Sequence, residues 1–171
     1  LSSSSAASDV YKRQGRVYSC GSHTLGYAQQ PQSIPQPVGL PLVRQISAGS
    51  CHALALTNEG DVFAWGASKY GALGLGEQTE AGLPSRIRPL SGRRCTAVAA
   101  GGWTSLALTS KGDVYLWGLS RGNQGVREPA PLEGVRGKAI SSGSTHSLVR
   151  TVDGRILSFG PFHDRAEIPG A

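Results

Sequence analysis

The chain has 171 residues, with 17 basic and 11 acidic side chains and a formal net charge of +6. Twenty-four glycines and ten prolines against 6% aromatic residues point to many short strands and turns, and no run approaches the roughly 18 apolar residues of a membrane-spanning helix. Cys20, Cys51 and Cys95 are too far apart for a zinc site or a disulfide framework, and are expected to be buried free thiols in a reducing compartment.

Residues 1–14 are read as a leader outside the fold. Ser4 to Gln14 resembles the in-frame translation of a transposase sequencing adapter, and its Ser/Ala-rich composition is otherwise that of a disordered tract too poor in apolar residues to build a core. Setting it aside lowers the counts to 15 basic and 10 acidic, a net of +5.

From Gly15 onward the chain repeats. Gly15-Arg16-Val17-Tyr18-Ser19-Cys20-Gly21 is the tail of one copy. Gly49 to Gly66, Gly101 to Gly118 and Gly143 to Gly160 align without a gap. The turn glycines Gly15, Gly60, Gly112 and Gly154 are 45, 52 and 42 residues apart, a spacing of propeller blades or solenoids. Within a copy, His52 to Leu56 alternates Leu54 and Leu56 with the small Ala53 and Ala55, which predicts a strand squeezed between two layers. Thr57-Asn58-Glu59-Gly60 is a hairpin loop whose glycine supplies a positive φ, and Val62 to Trp65 is the second strand. Pro-started segments, Pro35 to Ile46, Pro84 to Val98 and Pro129 to Ile140, are expected to supply a further apolar strand each. The connector Tyr70-Gly71-Ala72-Leu73-Gly74-Leu75-Gly76 is shortened to Gly122-Asn123-Gln124-Gly125 in the next copy.

These residues carry a resemblance: A-G-x-x-H-[AS]-L-A-L-T-x-x-G-D-V-[FY]-x-W-G, followed by Y-G-x-L-G-x-G, resembles the regulator of chromosome condensation repeat from Gly15 to Gly160. Trp-Asp and kelch blades fit less well, because Trp65-Gly66 and Trp117-Gly118 stand at the strand ends and a Gly-Gly pair occurs only at Gly101-Gly102. The resemblance implies an all-β, partial β-propeller of about three of seven four-stranded blades. The expected layout is a partial blade at 15–34, units at about 35–83, 84–128 and 129–160, and the start of a further connector at 161–171. Such an open fragment exposes strand edges and apolar blade faces.

No residue pattern calls for catalysis, a metal or a cofactor. His52 and His146 share a repeat position with Thr104, which fits a structural histidine better than a ligand. Trp65, Trp117 and Phe159 share another, the place of a core wedge between blades. Asp61 and Asp113 become Arg16 and Arg155 in other copies and read as solvated turn positions. The connector glycines lack the Lys-Ser or helix of a phosphate loop. Arg86, Arg88, Arg93 and Arg94 lie in a stretch without an acid, a weak candidate contact for nucleic acid, chromatin or an acidic protein if it is not simply a solvated loop. Together with Lys69, Tyr70, Trp103, Arg121, Asn123 and Gln124 they are expected to form a partner-contacting loop face.

The reading of first choice is a non-catalytic propeller module that binds a protein partner, with no small-molecule substrate and no membrane span. The resemblance also implies an alternative, part of a guanine-nucleotide exchange factor for a Ran-like small GTPase, and a third, the substrate-docking propeller of a ubiquitin ligase. The family's exchange factor uses a projecting β-wedge, for which no inter-repeat spacing here leaves room. Family resemblance and unpaired thiols place the expected location in cytoplasm or nucleus.

Overall fold

The computed structural model describes residues 7–11, 15–21, 32–119, 125–160 and 163–168. The described chain is built of antiparallel strands in four successive blades. Blade I holds β1 (Ala7–Tyr11), β2 (Arg16–Gly21) and β3 (Gln32–Val38). Blade II holds β4 (Val43–Ala48), β5 (His52–Thr57), β6 (Val62–Ala67) and β7 (Glu80–Arg86). Blade III holds β8 (Cys95–Ala100), β9 (Thr104–Thr109), β10 (Asp113–Leu119) and the first part of β11 (Gly125–Ser142). The second part of β11 opens blade IV, which continues with β12 (Ser147–Thr151), β13 (Ile156–Gly160) and β14 (His163–Glu167).

Register repeats as the sequence does. Ala53 faces Trp65 across β5 and β6, Ser105 faces Trp117 across β9 and β10, and Ser147 faces Phe159 across β12 and β13. The inner strands of blades II, III and IV each carry one bulge at the same place, at Arg44, Thr96 and Lys138. The turn glycines Gly60, Gly112 and Gly154 have φ of 92°, 83° and 90°, as the hairpin loops require. Gly66 and Gly118 serve a different need: a Cβ there would stand 2.4 Å from the Cys51 oxygen and 2.2 Å from the Trp103 oxygen, so only glycine lets the strand end pass beneath the next loop.

The core lies between blades. Val17, Val38, Val43, Ala53, Ala55 and Trp65 fill the space between I and II. Leu54, Leu56, Leu73, Val98 and Trp117 belong to the cluster between II and III. Leu106, Leu108, Val149, Leu157 and Phe159 fill the space between III and IV. The alternation of leucine and alanine along β5 is thereby explained, with the alanines turned to the preceding blade and the leucines to the next.

Two features differ from expectation. Ala7–Tyr11 pairs along its whole length with β2, from Ala7 opposite Cys20 to Tyr11 opposite Arg16. Edge pairing needs only backbone N–H and C=O groups, so an apolar-poor segment assigned to a leader is still able to occupy it. The prolines also do not open inner strands: Pro35, Pro84 and Pro129 all lie in outer strands, where a missing N–H costs no ladder bond. Between blades II and III the path breaks at a 3-10 turn, Arg88–Leu90, whereas β11 runs unbroken from the outer edge of III to the inner edge of IV.

Candidate interaction faces

Antiparallel strands send successive loops to opposite ends of each blade. At one end stand the connector, 68–79, and the short loops at 49–51, 101–103 and 143–146. At the other stand the hairpin turns at 58–61, 110–112 and 152–155 and the junction at 87–94. The single loop face expected from the sequence is therefore split. Lys69, Tyr70 and Trp103 are at the connector end, whereas Arg88, Arg93 and Arg94 are at the turn end, with Arg86 at the last position of β7 beside them. Arg121, Asn123 and Gln124 lie outside the described residues.

At the connector end Tyr70 of blade II and Trp103 of blade III meet edge to face, with ring centroids 5.7 Å apart and planes at 83°. The Lys69 ammonium lies 5.6 Å from the Tyr70 ring centre. Tyr70 is held by the start of β11, because a Cβ on Gly125 would be 2.4 Å from the Tyr70 oxygen. Cys51 and Thr145, the counterparts of Trp103, are exposed. Of the three thiols only Cys95 is buried, which corrects the expectation for the other two. Burial, reinforced by Asp61, pushes the Cys95 thiol up to about 11 and leaves it unreactive.

The glycine-rich connector is a clasp. The Ala72 oxygen accepts from Trp117 Nε1 at 2.8 Å and from the Ser105 hydroxyl at 2.7 Å, and Ser105 Oγ lies 2.8 Å from His52 Nε2. Since the Ser105 proton is committed to Ala72, His52 donates from Nε2. Burial alone holds the His52 imidazole down at about 4. The structural role expected for His52 is thus an inter-blade bond. Its counterpart Thr104 lies 3.3 Å from Ser147 Oγ, one step further round. Among the described residues no cluster of His, Cys, Asp or Glu is placed to hold a metal, and no helix is long and apolar enough to cross a membrane.

At the turn end most arginines have structural partners. Arg86 reaches Asp61 at 2.5 Å. Arg93 donates to the Pro89 oxygen at 3.0 Å and the Tyr115 hydroxyl at 2.6 Å, and stacks 5.1 Å from the Tyr115 ring centre. Arg88 borders a cleft of about 500 Å³ with Leu75, Gln78 and Glu128. Sequence reasoning missed why the turn position takes either charge. Asp113 pairs with Arg136 at 2.5 Å, as Asp61 does with Arg86, while in blade IV Arg155 pairs with Asp153 at 2.8 Å and Glu167 at 3.5 Å. The pair from turn to outer strand is kept with its signs exchanged. The Thr151 hydroxyl, then Arg155, hold the Asp153 carboxyl below its usual range. The partner charge stands in the outer strand at Arg86 and Glu167 but just before the inner stretch of β11 at Arg136, so comparison of the copies offered no single matching place to reveal it.

Comparison with known proteins agrees with this architecture. The regulator of chromosome condensation (RCC1) repeat is matched at residues 59–108 and, in a second form, at 43–72 and 95–124. The human E3 ubiquitin-protein ligase HERC2 is 38% identical over 130 residues, covering 69% of this chain and 3% of that protein. The ultraviolet-B receptor UVR8 of Arabidopsis thaliana is 32% identical over 169 residues, covering 88% and 38%. Prp20p of Saccharomyces cerevisiae, described with its binding to Gsp1p and histones, superposes with a TM-score of 0.72 at 26% identity, over 90% of this chain and 45% of that one. Human WBSCR16, at 23% identity, has the same fold, with a TM-score of 0.77 over 92% and 48%. The chain spans less than half the length of each of these proteins. With the motif, the blade register and the inter-blade cores all in agreement, the chain belongs to the regulator of chromosome condensation repeat family and forms part of a β-propeller.

Proposed function

We propose that this propeller segment is a non-catalytic module that holds a protein partner against its connector end, where Lys69, Tyr70 and Trp103 meet. The observation that carries the reading is the aromatic pair. Tyr70 and Trp103 come from adjacent blades and are half-buried against each other, whereas Trp65 and Trp117 are spent inside the cores. Large rings with a polar edge beside a cation are the side chains that anchor protein interfaces. We place the module in cytoplasm or nucleus.

A second reading, part of a guanine-nucleotide exchange factor, is favoured by the likeness to Prp20p and its binding to Gsp1p. A third, a substrate-docking propeller, is favoured by the likeness to HERC2. Purified Ran-type GTPase loaded with fluorescent GDP separates them. Binding without faster GDP release, weakened about tenfold by Tyr70→Ala with Trp103→Ala, supports a docking module. Accelerated release promotes the exchange reading. Unchanged affinity in the double variant removes the connector end from either.

A further inference from the structure

Charge is sorted between the two ends of the blades. At the connector end Lys69 and Arg127 are balanced by Glu77, Glu80 and Glu128, and Arg127 is ion-paired to Glu77. At the turn end the carboxylates of Asp61, Asp113, Asp153 and Glu167 are all taken by arginines of the same blades. Exposed cations there with no side-chain partner among the described residues include Arg16, Arg88, Arg94, Lys111 and Lys138. Arg44 and Arg93 donate to carbonyl and hydroxyl oxygens and keep their charge. Glu59 and Glu133 are the free carboxylates described at that end.

Backbone bonds arrange these residues side by side. Each hairpin turn is tied to the residue just before its own inner strand, or before the matching place in β11: Asn58 N–H to Leu42 O at 3.0 Å, Ser110 N–H to Arg94 O at 3.0 Å and Val152 N–H to Arg136 O at 2.9 Å. The turns of blades I, II and III are also tied to the following blade: Val43 N–H to Gly15 O at 2.9 Å, Cys95 N–H to Gly60 O at 3.1 Å and Gly137 N–H to Gly112 O at 2.8 Å. The turns thus form one continuous row across the blades. Within it Arg94 is the single non-glycine residue described in the left-handed region, at φ 47°. Glycine would sit there without strain, so Arg94 holds a conformation that its side chain disfavours, at the seam where blades II and III meet.

We propose that this turn-end row is a second docking surface, for an extended acidic protein segment that crosses blades II to IV. Two observations favour a protein over nucleic acid. Leu42 and Val152 lie in the row at 55% and 63% exposure, apolar anchors of use to side chains and of none to phosphates. The unpaired carboxylates of Glu59 and Glu133 break the row of cations into short stretches, which suit a peptide whose acids are interrupted by leucines and not a continuous phosphate chain.

The test uses the full chain and a fluorescent peptide that alternates paired glutamates with leucine, followed by anisotropy at low and high salt. Binding is expected at low salt and to weaken with added salt. Arg94→Glu with Lys111→Glu is expected to raise the Kd at least about tenfold. Arg94→Gly removes the charge while relaxing the backbone, so it is expected to weaken binding several-fold with a melting temperature no lower than that of the unaltered chain. Tyr70→Ala with Trp103→Ala, at the opposite end, leaves the peptide affinity unchanged, which separates this surface from the one proposed above. The proposal is overturned if the peptide does not bind at low salt, if charge reversal leaves its Kd unchanged, or if single-stranded DNA of matched charge binds as tightly.

Discussion

Between blades II and III the inner strands are tied by side chains. The Gln45 amide spans Val98, donating to its oxygen at 3.0 Å and accepting from its N–H at 3.1 Å, and Ser47 Oγ accepts from the Ala100 N–H at 2.9 Å. Between III and IV the matching positions are Ala97 and Ala99, which offer no polar atom and pack instead on the cluster of Leu106, Leu108, Val149 and Leu157. The connector clasp differs too. In blade III Trp117 donates to Ala72, whereas Phe159 stands at that place in blade IV and has nothing to donate. Two interfaces of the same register are therefore held differently. The apolar faces recur because each blade must bury both; the polar ties need only be satisfied locally, so they vary from seam to seam.

The largest expected effect comes from removing the wedge. Trp117→Ala leaves a cavity in the cluster between II and III and frees half of the Ala72 clasp, and is expected to cost about 3–5 kcal/mol in urea denaturation. Phe159→Ala removes a smaller ring that is 9% exposed, and should cost clearly less. Equal losses would show that the two seams are not distinguished by the clasp.

Acid should open the seam between II and III next. The folded His52 value of about 4 lies below the ordinary 6.5, so the unfolded chain takes up the proton first. Stability is full above pH 6.5 and is lost as pH falls through 4, by about 3 kcal/mol for this group. His52→Gln keeps a donor and removes the titration, so its stability profile should flatten across that window.

How much of this was legible in the sequence depends on the distance over which each feature is encoded. The turn glycines, the Leu54 and Leu56 face and the Trp65 and Trp117 wedge recur from copy to copy, so alignment of the chain with itself revealed them. The Gln45 and Ser47 clasp joins residues 53 apart and occurs once, so no internal comparison exposes it. Asp61 looked like a tolerant solvated turn because its partner Arg86 is 25 residues away in an outer strand that aligns poorly between copies. The division of the candidate residues between two ends follows from strand direction. Lys69 and Arg88 are close in sequence, yet β7 runs the full height of the blade between them.

The clasp at Gln45 offers the finest discrimination between the seams. Gln45→Leu keeps the volume and leaves the Val98 N–H and carbonyl without their side-chain partner at a part-buried site. Water reaches such a site, so the expected cost is the net worth of ordinary hydrogen bonds, about 1–2 kcal/mol, and not the penalty of a fully buried orphan. Ala97→Gln with Ala99→Ser places the same groups at the next seam, where blade IV offers Ile140 and Ser142 at the positions of Val98 and Ala100. If the clasp depends only on inner-strand geometry, the transplant should recover about 1 kcal/mol. If it depends on the break at Arg88–Leu90, which sets β8 apart from β7, the unbroken β11 will hold the backbone out of reach and the transplant will be neutral or destabilising. Denaturation of the two variants side by side decides whether the two seams differ in side chains alone or in backbone path as well.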